Sequence, residues 1–271
     1  AYRGLGAWVD VFDYSLGNHM DVAAAVSEMS SRGVRTLYLE TSRWKEPQAF
    51  VDAATADLFI ERAHAVGIKV VGWYLPGFGD IDRDIQRSLA VLQHSTPSGH
   101  RFDGLAPDIE NRQEVSQDRL AFNAGIIEYS KRLRAAVPAG TVLGAIVVDA
   151  KNNERAPERW AGFPWPEIAK YYDIVMPMAY WSVTKKDCSV QYDAGAYIND
   201  VVAKTEALMG TSKPMHIIGG IANCTTTQEV EQYVAALRAV GSLGGGLYDF
   251  QTTQARPEKD QFWASLAGLN S

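Results

Sequence analysis

The chain has 271 residues, of which 46% are hydrophobic and 21% charged, with a formal net charge of −6, the composition of a globular protein that buries a core. The acidic balance and the lack of any Lys or Arg run argue against a nucleic-acid surface, and no apolar stretch approaches the roughly 18 residues a membrane span needs. The length suits one α/β barrel, so a single domain over residues 1–271 is expected.

Taken in order, RGLGAWVDVFD reads as a first strand and MDVAAAVSEMSSRG as a helix ending at Gly33. VRTLYLETS is a second strand, TADLFIERAHAVG a helix ending at Gly67, and IKVVGWYLPG a third strand. Glycine accepts the left-handed conformation that closes a helix, and each apolar run begins directly after it, the signature of βα units. DIDRDIQRSLAVLQHS is helical, FDGLAPDIE is the fourth strand, and RLAFNAGIIEYSKRLRAAV is a long helix ended by Pro138. TVLGAIVVDA, a near-continuous apolar run, is the fifth strand, WPEIAKYY a short helix and DIVMPMAYW the sixth strand. AYINDVVAKTEALMG is a helix stopped by Gly210, and MHIIGGIA the seventh strand. In TTQEVEQYVAALRAVG, Thr226 and Glu229 form a capping-box pattern, with Val230, Tyr233, Val234, Leu237 and Val240 on one helical face. GGGLYDFQTT is the eighth strand and PEKDQFWASLAG the closing helix.

Eight strands alternating with helices, several of them apolar throughout and so buried on both faces, describe a (β/α)8 TIM barrel. A doubly wound open sheet is the alternative, but the Gly-rich phosphate turn is missing after the first strand. No linker or low-complexity tract divides the chain.

Barrel enzymes build their sites at the C-terminal ends of the strands. Here those ends carry Asp10 and Asp13, Glu40, Trp73 and Tyr74, Asp108 and Glu110, Asp149, Tyr180 and Trp181, Asn223, and Asp249 and Gln251. Such a ring of carboxylates and aromatics suits carbohydrate, since sugars stack on Trp and Tyr while carboxylates bind hydroxyls and supply acid and base. Trp8, Trp44, Trp73 and Trp181 fall where they line either a groove or the core. Asp10, Asp13, Asp149 and Asp249 serve equally well as helix caps or as partners of Arg3, Arg43 or Lys151. The histidines, at 19, 64, 94, 100 and 216, all avoid the strand ends, which removes zinc hydrolases and Ser/His/Asp catalysis. No metal or cofactor is expected, although a carboxylate-only cation site stays open.

In DGLAPDIE, Asp108 and Glu110 are two apart and share a face of the strand, where mutual repulsion holds a proton on one of them. The alternative is that both cap a loop or bind Arg112. The segment resembles the D-G-x-D-x-D-x-E signature of family 18 glycoside hydrolases, the chitinase-like barrels: Asp103, Gly104, Asp108 and Glu110 match, and Ala106 replaces the first inner aspartate. MAYW at 178–181 is similar to that family's M-x-Y-D, with Tyr180 matched and Trp181 in place of the acid. GGGLYDF resembles its G-G-x-M-x-W, with Asp249 where the Trp would stand.

The resemblance implies Glu110 as general acid, Asp108 as the residue orienting a 2-acetamido group or holding the proton, and Tyr180 as its hydrogen-bonding partner. With Ala106 and Trp181 departing from the pattern, a direct route through a second carboxylate (Glu40, Asp149 or Asp249) stays open. The implied substrate is a polysaccharide or oligosaccharide, with Asp10, Glu40, Trp73, Tyr74, Asp149, Trp181, Asp249 and Gln251 as binding residues. A non-catalytic carbohydrate-binding barrel is the second reading, and an isomerase or lyase using carboxylates the third.

Cys188 follows strand six and Cys224 strand seven, at one rim on adjacent units, so they form a disulfide or remain two core thiols. A disulfide implies an oxidising compartment. With an Ala1 start compatible with a cleaved signal, the expected setting is a secreted bacterial protein, monomeric. Asn223-Cys-Thr225 also matches the glycosylation acceptor pattern.

Overall fold

The computed structural model describes residues 1–110, 113–115, 118–184 and 188–270. Its parallel strands are β1 Gly4–Val9, β2 Thr36–Arg43, β3 Lys69–Leu75, β4 Gly104–Leu105, β5 Gly144–Val147, β6 Ile174–Pro177, β7 His216–Ile221 and β8 Gly244–Tyr248. They run β4-β3-β2-β1-β8-β7 in one ladder and β5-β6 in another. Bridges join the two ladders: Leu105 to Leu143 and Asp108 to Ile146 on one side, Val175 to Met215 and Met178 to Ile218 on the other. The ring therefore closes with β1 between β2 and β8, as the barrel reading requires and an open sheet does not.

β4 is far shorter than the expected FDGLAPDIE strand, and Pro107 explains why. Proline has no N–H to give a ladder, so regular pairing stops before it. The segment is still held on both sides: Ala106 N donates to Gly72 O at 3.0 Å and Asp108 N to Tyr74 O at 2.9 Å, while Ile109 N donates to Ile146 O at 3.0 Å. Strands one and eight also end earlier than expected. Val11–Tyr14 and Phe250–Gln254 each coil into a short helix, capped by Asp10 and Asp249 respectively.

Inside the barrel, Trp8 stacks on Tyr38 with ring centroids 4.2 Å apart, and Tyr2 Oη donates to Leu105 O at 2.8 Å. Gly104 makes room for this tyrosine, since a Cβ there would lie 2.8 Å from Tyr2 Oη. His216 is fully buried among these rings, and burial pushes its pKa down to about 4. It is neutral at pH 7 and packs at the start of β7, away from the rim.

Around the strands lie the helices Val22–Ser31, Ala53–Ala65, Ile81–Gln93, Arg119–Ala136, Trp165–Tyr171, Ala194–Met209, Thr227–Ala239 and Lys259–Leu266. Gly33 and Gly67 do take positive φ, 79° and 77°, just past their helices. The Thr226/Glu229 capping box forms, and Val230, Tyr233, Val234 and Leu237 are buried below it. No helix among the described residues is long and apolar enough to cross a membrane.

Candidate active site

The C-terminal ends of β4 and β6 bring Asp108, Glu110 and Tyr180 together. Backbone bonds to β3 and β5 fix the segment that carries the two carboxylates. Asp108 is 7% exposed, and among the described residues its Oδ1 accepts no hydrogen bond. Burial, followed by the Glu110 and Glu40 charges, holds its pKa well above the usual carboxylate range. Glu110 is half-buried and is also pushed up, mainly by desolvation, against the opposing influence of the Arg43 and Arg159 guanidinium groups. Burial and their mutual repulsion thus both push this pair toward the protonated form. Arg112, the partner that would have made the pair purely structural, lies outside the described residues.

Glu110 and Tyr180 line one cavity of about 280 Å³ together with Asp149, Arg155, Trp160 and Tyr197. It is slightly smaller than typical ligand pockets, about 300–1,000 Å³. Tyr180 also packs beside Tyr248, with centroids 5.8 Å apart. Asp149 forms the far wall: its Oδ1 accepts Lys151 N–H at 2.8 Å, and its Oδ2 accepts Arg155 Nη2 at 2.7 Å and the Tyr197 hydroxyl. Burial raises its pKa, with Tyr197 and the Lys151 N–H acting the other way.

The remaining rim carboxylates are held by the protein itself. Glu40 is 0% exposed: its Oε2 accepts Val11 N–H at 3.0 Å and its Oε1 accepts Arg43 Nε at 2.9 Å. Burial pushes it up to about 7, with Arg43 countering. Asp10 accepts the N–H groups of Phe12 and Asp13 through Oδ1, at 2.8 and 3.2 Å, and the Tyr248 hydroxyl through Oδ2, at 2.9 Å. Asp249 accepts Thr252 N–H at 2.7 Å. Asp10, Asp13 and Asp249 each present an oxygen within 4.8 Å of the others, the carboxylate grouping that a hard cation would use.

Several expected aromatics face inward. Trp181 is fully buried against Tyr233, with centroids 5.3 Å apart. Trp73 is 3% exposed and meets Trp8 edge-on. Tyr74 is buried, and its hydroxyl donates to Asp84 Oδ1 at 2.6 Å. Gln251 is half-buried on the short helix after β8.

The site residues not anticipated are Arg155, Trp160, Tyr197 and Tyr248. The first two lie in KNNERAPERW, which forms the helices Asn152–Arg155 and Pro157–Trp160. A segment so rich in charge, directly after a barrel strand, was the signal available for them. Tyr197 lies in the first turn of a long helix, and nothing in its sequence neighbourhood marks it.

Cys188 and Cys224 are joined by a disulfide with Cα atoms 4.9 Å apart, and Asn223 beside it is exposed.

No family model matches the sequence, and no curated protein matches it. The fold, however, is shared with solved structures. A chitinase from Bacteroides thetaiotaomicron superposes with a TM-score of 0.70 at 11% identity, covering 99% of this chain and 96% of that one. A chitinase from Chromobacterium violaceum gives 0.67 at 14% identity, covering 99% of each chain. The PgaB (BpsB) glycoside hydrolase domain from Bordetella bronchiseptica gives 0.66 at 13% identity, covering 98% of this chain and 99% of that one. The chain thus has the TIM-barrel fold of family 18-like glycoside hydrolases, at sequence identities that carry the fold alone.

Proposed function

We propose that this protein is a glycoside hydrolase that cleaves a polysaccharide, with Glu110 as general acid. The observation that carries the reading is the placement of Glu110 beside Tyr180 in the rim cavity, with buried Asp108 behind it. An acid must hold its proton at working pH, and burial next to another carboxylate favours that state. In the proposed step, the Glu110 proton passes to the glycosidic oxygen. The bond from that oxygen to the anomeric carbon breaks, and its electron pair goes to the departing oxygen. Water then supplies the hydroxyl to the anomeric carbon and returns a proton to Glu110.

A polymer rich in N-acetylated amino sugars is the favoured substrate class. One structural neighbour, a family 18 chitinase from Cycas revoluta, is described in complex with (GlcNAc)3. Asp108 would orient the 2-acetamido group and Tyr180 would hydrogen-bond it. The engagement of Glu40, Asp149 and Asp249 in internal hydrogen bonds favours this route over one needing a second free carboxylate. Ala106 in place of the signature's first inner aspartate and Asp249 in place of its strand-eight Trp give the specific reason to keep the non-catalytic binding barrel as the second reading.

The test is hydrolysis of a polysaccharide panel by wild type and Glu110→Gln. Glu110→Gln is expected to lose about 10²–10⁴-fold in rate. Undiminished activity in the variant defeats the assignment of the acid, and binding without turnover by wild type selects the non-catalytic reading.

A further inference from the structure

Arg43 lies three residues beyond Glu40, and residues an odd number apart face opposite sides of a regular strand. Here the two side chains meet on one side, Arg43 Nε lying 2.9 Å from Glu40 Oε1. The cause is a slip in the β2–β3 register: Glu40 pairs with Trp73 and Ser42 with Tyr74, leaving Thr41 as an extra residue. Bulges of this kind re-aim side chains and are frequent beside active sites. The same rung sets the height, because Tyr74 O accepts Asp108 N–H at 2.9 Å. Continued from Gly72 opposite Leu105, this register sets Leu75 opposite Asp108, and Leu75 pairs with Arg43, so Arg43 stands level with Asp108, two strands away.

Two features hold the guanidinium there. Glu40, wholly buried, anchors it from below. The Phe12 ring lies under its carbon at 4.7 Å, a cation–π arrangement. Its own side chain is 23% exposed, so solvent screens its field only in part.

Among the described residues, the charged and titratable groups around the pair come from four segments. Asp108 is faced by Glu110 on its own segment and by Glu40 and Arg43 from β2. Glu110 is faced by Arg43 and by Arg159 from the segment after β5. Tyr180, in the segment after β6, faces both carboxylates as well as Asp10 and Asp249, and the Asp149–Arg155 pair lines the same cavity as Glu110. In this surrounding, Ala106 offers no carboxyl group to which Asp108 could pass a proton.

We propose that Arg43 acts on the Asp108–Glu110 pair as a positioning residue, a fixed cation whose placement by the β2 bulge and Glu40 decides at which pH the pair gives up its proton. The inference rests on the reading of Glu110 as the acid. Two neighbouring carboxylates that repel each other hold a proton to higher pH, and a cation nearby stabilises their ionised form. Without it, the pair would cling to its proton to higher pH and protonate a leaving group less readily.

The experiment is a carboxyl-detected ¹³C NMR titration of Glu110 in wild type, Arg43→Met, Arg43→Lys, Glu40→Gln and the double variant Glu40→Gln/Arg43→Met. The Glu110 midpoint is expected to move upward by about one pH unit or more when the cation is removed, and Arg43→Lys is expected to remain near wild type. The double variant is read against Glu40→Gln alone, because the Glu40 charge raises Asp108 while Arg43 lowers it, and on that comparison it decides the question should Arg43→Met alone fail to fold. An unchanged midpoint in whichever cation-free variant folds, or an Arg43→Lys midpoint as displaced as that of the methionine variants, overturns the proposal. The titration needs no substrate: absence of hydrolysis by wild type would defeat the glycosidase reading, while the NMR midpoints would still decide the role of Arg43.

Discussion

Asp13 shows what a rim carboxylate does when it points into protein. Its Oδ2 accepts Asp10 N–H at 3.2 Å, and burial, reinforced by the Asp249 and Asp10 charges, pushes it up to about 8. In the unfolded chain an Asp ionises near 4, at about 3.9, so between those limits the folded state binds the proton more tightly. The stability tied to this proton is present below about pH 4 and is lost as pH rises towards 8. Glu40, at about 7, acts in the same direction. Asp13→Asn keeps the acceptor and removes the titration, so its melting temperature should fall less than that of wild type between pH 5 and pH 8; parallel melting curves over that range would contradict this account. At this scale the sequence was ambiguous for a physical reason. An Asp at the end of a strand is equally the residue that caps the next helix and the residue that holds a sugar hydroxyl, and the capping role proved real for Asp10 and Asp249.

Among the elements, the segments that leave the strands define the rim more than the strands themselves. The helices Asn152–Arg155 and Pro157–Trp160 carry one wall of the cavity. The 3-10 turns Trp181–Thr184 and Ala222–Cys224 follow β6 and β7, and the disulfide ties these neighbouring segments across 36 positions of sequence. Closing a loop of that size contributes roughly 3–4 kcal/mol in the chain-entropy view. Cys188→Ser/Cys224→Ser should therefore lower the denaturant-measured unfolding free energy by about that amount, and a loss below about 1 kcal/mol would show that the bridge adds little beyond local packing. That the two cysteines share a rim followed from counting strands. The β2 bulge did not, because an extra residue leaves no trace in an apolar pattern.

For the molecule as a whole, alternation of apolar runs and glycine-terminated helices was enough to recognise a closed barrel, since each unit repeats one physical solution for burying a parallel strand. Strand lengths were less legible. Pro107 interrupts β4, and the ends of strands one and eight coil into capped helices, effects that depend on which backbone groups find partners. The Asp108/Glu110 pair was legible because spacing alone puts both on one segment at the rim. The direction of Trp73, Tyr74 and Trp181 was not, because an aromatic at a strand end fits the core as well as the cleft. The central claim is that Glu110 donates a proton to the leaving oxygen. It is tested most directly by comparing wild type and Glu110→Gln on a chitin oligosaccharide and on an aryl glycoside of the same sugar whose leaving group needs no protonation. The account predicts a loss of about 10²-fold or more on the oligosaccharide and a far smaller loss on the activated aryl glycoside. Equal losses on both substrates, or none on the oligosaccharide, would contradict it.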